Sequence, residues 1–545
     1  MSNGAHSIQK QLRFNLEDYI KSQYFGKNAL LRSAVEPHLD EEGLLYQKPY
    51  IESSPAYKSV SSGFKDANLP DWMKEYYLAL NAANLGVHSK PFLHQLQALE
   101  AFVNKEDIFV ATGTGSGKTE CFMWPLLGKL AEEAKYSPST WSKRGVRTVI
   151  MYPMNALVSD QISRLRRLIG DKDGRFLSIF HTTCGDEKRR PQFGMYTGRT
   201  PYPGEAPQHK YDIDLAKQLE EVSFPHTEED IQYYSKLAEE GKIPAKVNMA
   251  DFLEGLRNSR HIPNENDAEL ITRFEIQQFC PDILITNYSM LEYMLLRPQE
   301  SKIWADTKDW LHSDPDNKLL FIIDEAHMYR GSSGGEVSFL IRRLFHKLDI
   351  TREKVQFILT TASMPDSSEE DRHSVMTFAR ELTSASKTHP FCYLTGEREE
   401  LTQAGTESIP FNKFQSFDID SFESNDEIKL RSLNEFWCDL PNSSAPFSSL
   451  EAVYSWMYEN LLQYKEFSHL IKLCRGNAIS LNQLSNDIFP DAEPATALKA
   501  VSVILAIAPL AKSKNGNVLF PARMHMLFRG LDGVYACTNP NCKKE

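Results

Sequence analysis

The chain has 545 residues, 41% of them hydrophobic and 25% charged, with a formal net charge of −12. This length and composition fit a globular protein of several folded units. The negative balance excludes a basic nucleic-acid coat, since non-specific binding rests on Lys and Arg neutralising phosphates; a local basic track stays open.

Residues Met1 to Gln11 are polar and lack an apolar signal core. The longest apolar stretch, Ala500 to Ala511, is far shorter than the roughly 20 residues of a membrane-spanning helix. Six of the eight cysteines are well scattered and show no ligand spacing, so they read as core residues rather than a disulfide framework. The expectation is a cytoplasmic, reducing location with no membrane partner.

Residues 1–90 are mixed and partly helical in pattern, with no legible chemistry. From residue 91 to about 400 short apolar runs alternate with amphipathic helical patterns, the mark of an α/β fold with a parallel sheet. The clearest strands are Ile108–Ala111, Thr148–Tyr152, Asp282–Thr286, Leu319–Ile323 and Gln356–Thr360. Each runs into a polar loop, and loops at the carboxyl ends of such strands are where α/β proteins place ligands. A charged insertion over about 201–266 has little strand pattern and reads as helical and surface-lying.

The first of these strands leads into Thr112-Gly113-Thr114-Gly115-Ser116-Gly117-Lys118-Thr119, followed by a helical pattern. Glycines let backbone N–H groups crowd round an anion, and a helix N-terminus adds a favourable dipole. In that role Lys118 reaches the β- and γ-phosphates of ATP and the Thr119 hydroxyl binds Mg²⁺. The strict phosphate-loop pattern has glycine where this chain has Thr112. A later buried run, Leu319 to Ile323, delivers Asp324-Glu325-Ala326-His327 to the sheet edge. Asp324 suits Mg²⁺ held through water, and Glu325 suits orientation or deprotonation of an attacking water. By itself an acidic pair after a strand is as readily a helix cap; upstream phosphate-loop residues favour catalysis.

Residues 401–449, including the polar stretch Ser416–Asp426, read as a linker. Beyond them Leu450, Val453, Trp456 and Met457 share a helical face, Ser480 and Gln483 form a capping box, and a third apolar helix spans about Ala497 to Ala508. An Asn515–Gly516 turn then reads as a hairpin. Three helices and a hairpin over 450–535 resemble a winged-helix module, with a plain helical packing domain as the alternative.

Taken together, the motifs resemble those of the DEAD/DEAH-box helicases of superfamily 2, over roughly Pro91 to Leu394. The resemblance implies a RecA-like ATP-binding domain, the first of two in such motors. It implies that Gln95, in Pro91-Phe92-Leu93-His94-Gln95, reads the adenine edge. It implies that Pro153 and Asn155, and Thr286 and Asn287, line the nucleic-acid strand. Thr361-Ala362-Ser363 stands where the family couples hydrolysis to strand movement, with both hydroxyls kept, and His327 belongs to the same coupling set. The run from Asp324 to Gly331, with Gly335-Glu336-Val337 and Arg342-Arg343-Leu344, is similar to a branch of large bacterial helicases with a cysteine-rich zinc element. Several of that branch act in DNA repair or phage defence, the Druantia-type defence helicases among them, which implies DNA rather than RNA as the partner.

Such motors also need a second RecA-like domain bearing a Gln-x-x-Gly-Arg-x-Gly-Arg run, and no such run occurs in the 545 residues. Cys537 and Cys542 stand in residues 536–545 as half of a tetrahedral zinc site. Free surface thiols are the other reading of that pair. The expectation is an incomplete motor that binds ATP and Mg²⁺, depends on a second motor domain on a separate chain, and is inactive without it. The alternative is a non-catalytic remnant that binds nucleotide or nucleic acid, or serves as an interaction scaffold.

Overall fold

A computed structural model describes residues 5–525 apart from 26–32, 34–35, 37–38, 40–48, 54–56, 114, 186–187, 202–208, 225–227, 259–263, 363–367, 399–404, 477, 514–515 and 517. Contacts divide the chain into two units: residues 57–397, and residues 1–56 together with 398–545. In chain order the strands are β1 (Tyr50–Ser53), β2 (Asp107–Ala111), β3 (Thr148–Tyr152), β4 (Phe193–Tyr196), β5 (Glu269–Leu270) and β6 (Ile283–Asn287). They continue as β7 (Leu319–Ile323), β8 (Val355–Thr361), β9 (Phe391–Thr395), β10 (Ile479–Ser480) and β11 (Ala522–His525).

The larger unit is built on one sheet of eight strands in the order β5-β4-β6-β3-β7-β8-β2-β9, and its strand pairs are parallel. Its central strands are apolar on both faces because helices cover both. Ile150, Tyr152 and Ile322 pack on one side with the helices Leu93–Val103, Glu120–Tyr136 and Asn155–Leu168. Val149, Met151, Phe321 and Ile323 pack on the other with Tyr288–Leu296, Ser332–Leu348 and Glu369–Leu382. The five strands expected from the sequence are present, and β4, β5 and β9 extend the sheet at its two edges. The charged insertion is helical as expected, with helices at His209–Ser223, Glu228–Glu239 and Met249–Arg257.

At the amino ends of β3 and β6, the buried Arg147 guanidinium bonds Glu133 (2.9 and 3.2 Å) and faces Asp282 (3.3 Å). Arg189 donates twice to the same Asp282 (2.7 and 2.8 Å). Trp141 and Trp310 flank Arg147 at 5.3 and 4.8 Å. Desolvation works against the Asp282 charge, but the two arginines hold its carboxyl below its ordinary range.

Two boundaries differ from the sequence expectation. Residues 57–90 belong to the α/β unit, where Phe64, Tyr76, Tyr77 and Leu80 enter its core. The expected linker carries helices at Phe411–Ser416, Ile419–Phe422 and Asp426–Trp437. Its polar composition hides scattered aromatics: Phe414, Phe417, Phe422, Phe436 and Trp437 are buried in the second unit's core. That core also takes the helices Leu450–Asn460, Lys465–Cys474 and Pro494–Ile507, and the small sheet β10-β1-β11 draws its middle strand from residues 50–53. Ser480 caps the helix Leu481–Ile488 through Gln483 N–H (3.3 Å). Lys512 and Val518 form an antiparallel bridge around the expected turn, of which Asn515 lies outside the described residues. Cys438 is exposed and Cys392 half-buried, so those two of the six scattered cysteines are not core residues.

Candidate nucleotide site

The site forms where β2, β8 and β7, neighbours in the sheet, end side by side. From β2 the chain turns through Thr112 to Thr119 into the helix Glu120–Tyr136. Gly115 and Gly117 take φ of 77° and 70°, a left-handed backbone that favours glycine. At Gly117 a Cβ would lie 2.1 Å from Gln95 Nε2, so the close approach admits no side chain there. The loop is held from outside as well. His94 is 1% exposed and its Nε2 lies 2.8 Å from the Ser116 carbonyl. Burial lowers the imidazole's pKa, so the ring is neutral and Nε2–H donates. Gln95 Nε2 donates to the Gly117 carbonyl (3.1 Å) while its Oε1 accepts from Phe92 N–H (2.9 Å).

Three expected residues therefore act differently from the simplest reading. Gln95 is 2% exposed and its amide is engaged at both ends, so reading an adenine edge requires it to release one of them. Ser116 is fully buried with its hydroxyl on Thr112 Oγ1 (2.6 Å). Thr286 is also buried and donates its hydroxyl to the Tyr196 carbonyl (2.7 Å).

From β7 the chain delivers Asp324 and Glu325. Asp324 is 9% exposed; its Oδ1 accepts from Glu325 N–H (2.9 Å) and from the Thr360 hydroxyl at the end of β8. Burial raises the Asp324 pKa above its ordinary 3.8, and the Thr360 hydrogen bond opposes that rise. Glu325 sits at φ 51° and ψ 47°, a left-handed conformation rare for a non-glycine residue. Such outliers cost about 1–3 kcal/mol and cluster at functional sites. Here the turn points the Glu325 carboxylate back over the phosphate loop: Oε1 lies 3.4 Å from Lys118 Nζ, and Oε2 lies 3.2 Å from His327 Nδ1. His327 Nδ1 is also 3.1 Å from Thr361 Oγ1, and Thr361 O accepts from Thr112 N–H (3.2 Å). The end of β8 thus touches both the acidic turn and the start of the phosphate loop.

The structure brings together Gln95, Gly117, Lys118, Asp324, Glu325, His327 and Thr361, with Gly113, Gly115, Ser116 and Thr119 in the same loop. Thr114, Ser363, Cys537 and Cys542 lie outside the described residues. The described residues hold no cluster of three or more His, Cys, Asp or Glu able to bind a metal ion. Pro153 and Asn155 follow β3, and Asn287 ends the neighbouring β6; Asn287 Nδ2 donates to Asn155 Oδ1 (2.7 Å). The sequence reading missed Thr360 and gave His94 no assigned role. Thr360 was legible as the last residue of a buried strand, but its partner lies 36 positions away, and that of His94 22.

Among the described residues no helix is long and apolar enough to cross a membrane. The DEAD/DEAH box helicase family matches residues 92–201 and 232–371. Druantia protein DruE of Escherichia coli is 35% identical, across 99% of this chain and 30% of DruE. An uncharacterized ATP-dependent helicase of Methanocaldococcus jannaschii is 23% identical, across 58% of this chain and 31% of that protein. The chain therefore spans about a third of the length of these relatives. Of solved structures, the DUF1998 helicase MrfA bound to DNA overlaps 68% of this chain and 34% of its own, at 18% identity and a TM-score of 0.34. Mss116p bound to ssRNA and AMP-PNP overlaps 70% of this chain and 55% of its own, at 14% identity and a TM-score of 0.34.

Proposed function

Residues 92–201 and 232–371 belong to the DEAD/DEAH box helicases, and from that premise we propose that the chain is the ATP-binding first motor domain of a nucleic-acid helicase or translocase. The observation that carries this reading is the approach of Lys118 Nζ to Glu325 Oε1 at 3.4 Å, from residues 207 positions apart. The fit to a nucleotide is physical. Lys118 is 13% exposed, with a carboxylate for its partner, beside glycines that leave backbone N–H groups free to crowd an anion. Asp324 is a buried carboxyl whose charge is disfavoured until a cation stands beside it.

Thr119 and Asp324 are the residues that would hold Mg²⁺. Bound magnesium supplies charge neutralisation on the phosphates. On nucleotide binding Lys118 leaves Glu325 for the β- and γ-phosphates, and Glu325 Oε1 becomes free to orient water and accept its proton. His327, shared between Glu325 and Thr361, couples the acidic turn to β8. Asn155 and Asn287, bonded to each other at the ends of β3 and β6, are the proposed contacts to a nucleic-acid backbone, with Pro153. Thr286 serves that strand by shaping the loop from within.

No Gln-x-x-Gly-Arg-x-Gly-Arg run occurs in the sequence, and such arginines raise phosphoryl-transfer rates by about 10³–10⁵. The chain by itself therefore binds ATP and turns it over slowly, and a second motor domain supplies the arginines. The 35% identity to Druantia protein DruE supports kinship with that protein, and DNA is the strand we propose.

The test is ATP binding and hydrolysis by the purified chain, with and without single-stranded and duplex DNA. Lys118→Ala is expected to weaken ATP binding at least about tenfold, the loss of one charge-assisted contact. Wild-type turnover is expected to stay near background. Binding that ignores Lys118 would remove the site, and robust DNA-stimulated turnover would refute the need for outside arginines.

A further inference from the structure

Beyond the acidic turn, the chain passes Tyr329 and Arg330 and enters the helix Ser332–Leu348 through a run with glycines at 331, 334 and 335. This helix packs against Glu369–Leu382, and the two leave a cavity of about 380 Å³ between them. That size falls within the range of small-ligand pockets, about 300–1,000 Å³. Tyr329, Phe339, Phe378, Arg342 and Glu381 line it, and Gly331 and Gly335 have open space where a side chain would stand.

Three features call for an occupant. Phe339 is 66% exposed on a helix whose other large apolar residues are buried, with the Arg342 guanidinium 5.8 Å from its ring centre. Tyr329 is 6% exposed, yet its buried hydroxyl has no hydrogen-bond partner. An unpaired buried hydroxyl is destabilising, and a ligand able to bond it would offset that cost. Finally, Arg343 of the same helix reaches Glu292 (3.3 Å) on the helix that Asn287 opens, so the cavity's wall is joined to the proposed strand-binding edge.

We propose that this cavity takes an unstacked base of a single-stranded nucleic acid. The inference rests on the reading of the chain as a nucleic-acid motor and extends it with a specific contact. A flat π-system stacks on Phe339, with Arg342 adding cation–π attraction. The base edge reaches the Tyr329 hydroxyl only with a small shift of that ring, since the oxygen is closed to water in the structure. Glu381, which lines the cavity, disfavours a phosphate there. The same carboxylate suits a base, which offers N–H donors. Flanking phosphates instead meet Arg342 and Arg343. Stacking of this kind is tolerant of sequence because every base has a π-face.

The test is fluorescence anisotropy of labelled oligonucleotides, DNA and RNA, each in base-bearing and abasic form, on the full chain at fixed salt. Phe339→Ala is expected to weaken base-bearing oligonucleotides about tenfold, the loss of one stacked base, and to leave the abasic ones unchanged. Phe339→Trp keeps the affinity, and its indole fluorescence is quenched by the bound base-bearing strand. Tyr329→Phe, which removes only the hydroxyl, weakens binding less than Phe339→Ala. Unchanged binding by Phe339→Ala, or an equal loss on abasic strands, overturns the stacking pocket while leaving the motor reading intact. Failure of the wild-type chain to bind any oligonucleotide overturns both. ATP binding by Phe339→Ala, expected unchanged, confirms that the variant is folded.

Discussion

Asp324 titrates above its ordinary 3.8 because burial disfavours its carboxylate, and the Thr360 hydroxyl recovers only part of that loss. The sign of the linkage follows. A carboxyl whose folded pKa is raised favours folding at acid pH and costs stability as pH rises through the unfolded and then the folded value. An ionised Asp324 therefore opposes folding, and on the proposed reading a bound Mg²⁺ would offset that cost. Asp324→Asn is expected to raise the melting temperature of the nucleotide-free chain at pH 7, by on the order of 2 °C, and to abolish Mg²⁺-dependent ATP binding. Thermal melts and nucleotide titrations with and without Mg²⁺ check both halves; an unchanged Mg²⁺ dependence would remove Asp324 from the site. At this scale the sequence was informative where chemistry is local. Lys118 and Thr119 follow their glycines directly, and Asp324 and Glu325 are adjacent. It was silent where a role depends on a distant contact, as for His94 beneath Ser116.

Strands β2, β3, β6, β7 and β8 were legible because strands buried on both faces must be apolar without interruption. The edge strands were not: β5 is two residues long and β9 is mostly half-buried, so neither leaves a run to read. The helices inside the expected linker were hidden for another reason. Their aromatics lie scattered among polar residues, and only tertiary packing shows that Phe414 and Trp437 share a core. The joint at Arg147 belongs to this scale as well, since it ties the helix Glu120–Tyr136 to β3 and to the loop before β6. Removing one partner of a buried ion pair costs about 3–5 kcal/mol because the other charge is left uncompensated. Arg147→Met, which removes the ion-pair partner of Glu133 and leaves it only the Thr140 and Trp310 hydrogen bonds, is expected to lower stability by that order in chemical denaturation. A midpoint and slope equal to wild type would show that the joint is dispensable.

The two units have separate hydrophobic cores, and the chain passes between them at residues 56–57 and again at 397–398. Entry and exit of the α/β unit are neighbours: Lys58 N–H donates to the Glu397 carbonyl (2.8 Å), and the two side chains form an ion pair (3.2 Å). A segment of residues 57–397 is therefore expected to fold alone and to bind ATP with the affinity of the longer chain. Size-exclusion chromatography, circular dichroism and the same nucleotide titration check it. Aggregation of that segment would mean the division into units is not one of stability.

The pairing of β1 with β10 and β11 has a consequence for the order in which the molecule comes into being. Residues 50–53 leave the ribosome early, yet their partners at 479–480 and 522–525 follow more than 400 residues later. At about 5–20 residues per second the wait is on the order of 20–80 s, during which the whole eight-stranded sheet can form. Through that interval β1 is a strand with unpaired backbone edges, the kind of segment that pairs wrongly when left alone. Slowing translation within residues 400–520 would lengthen its exposure without altering one native contact.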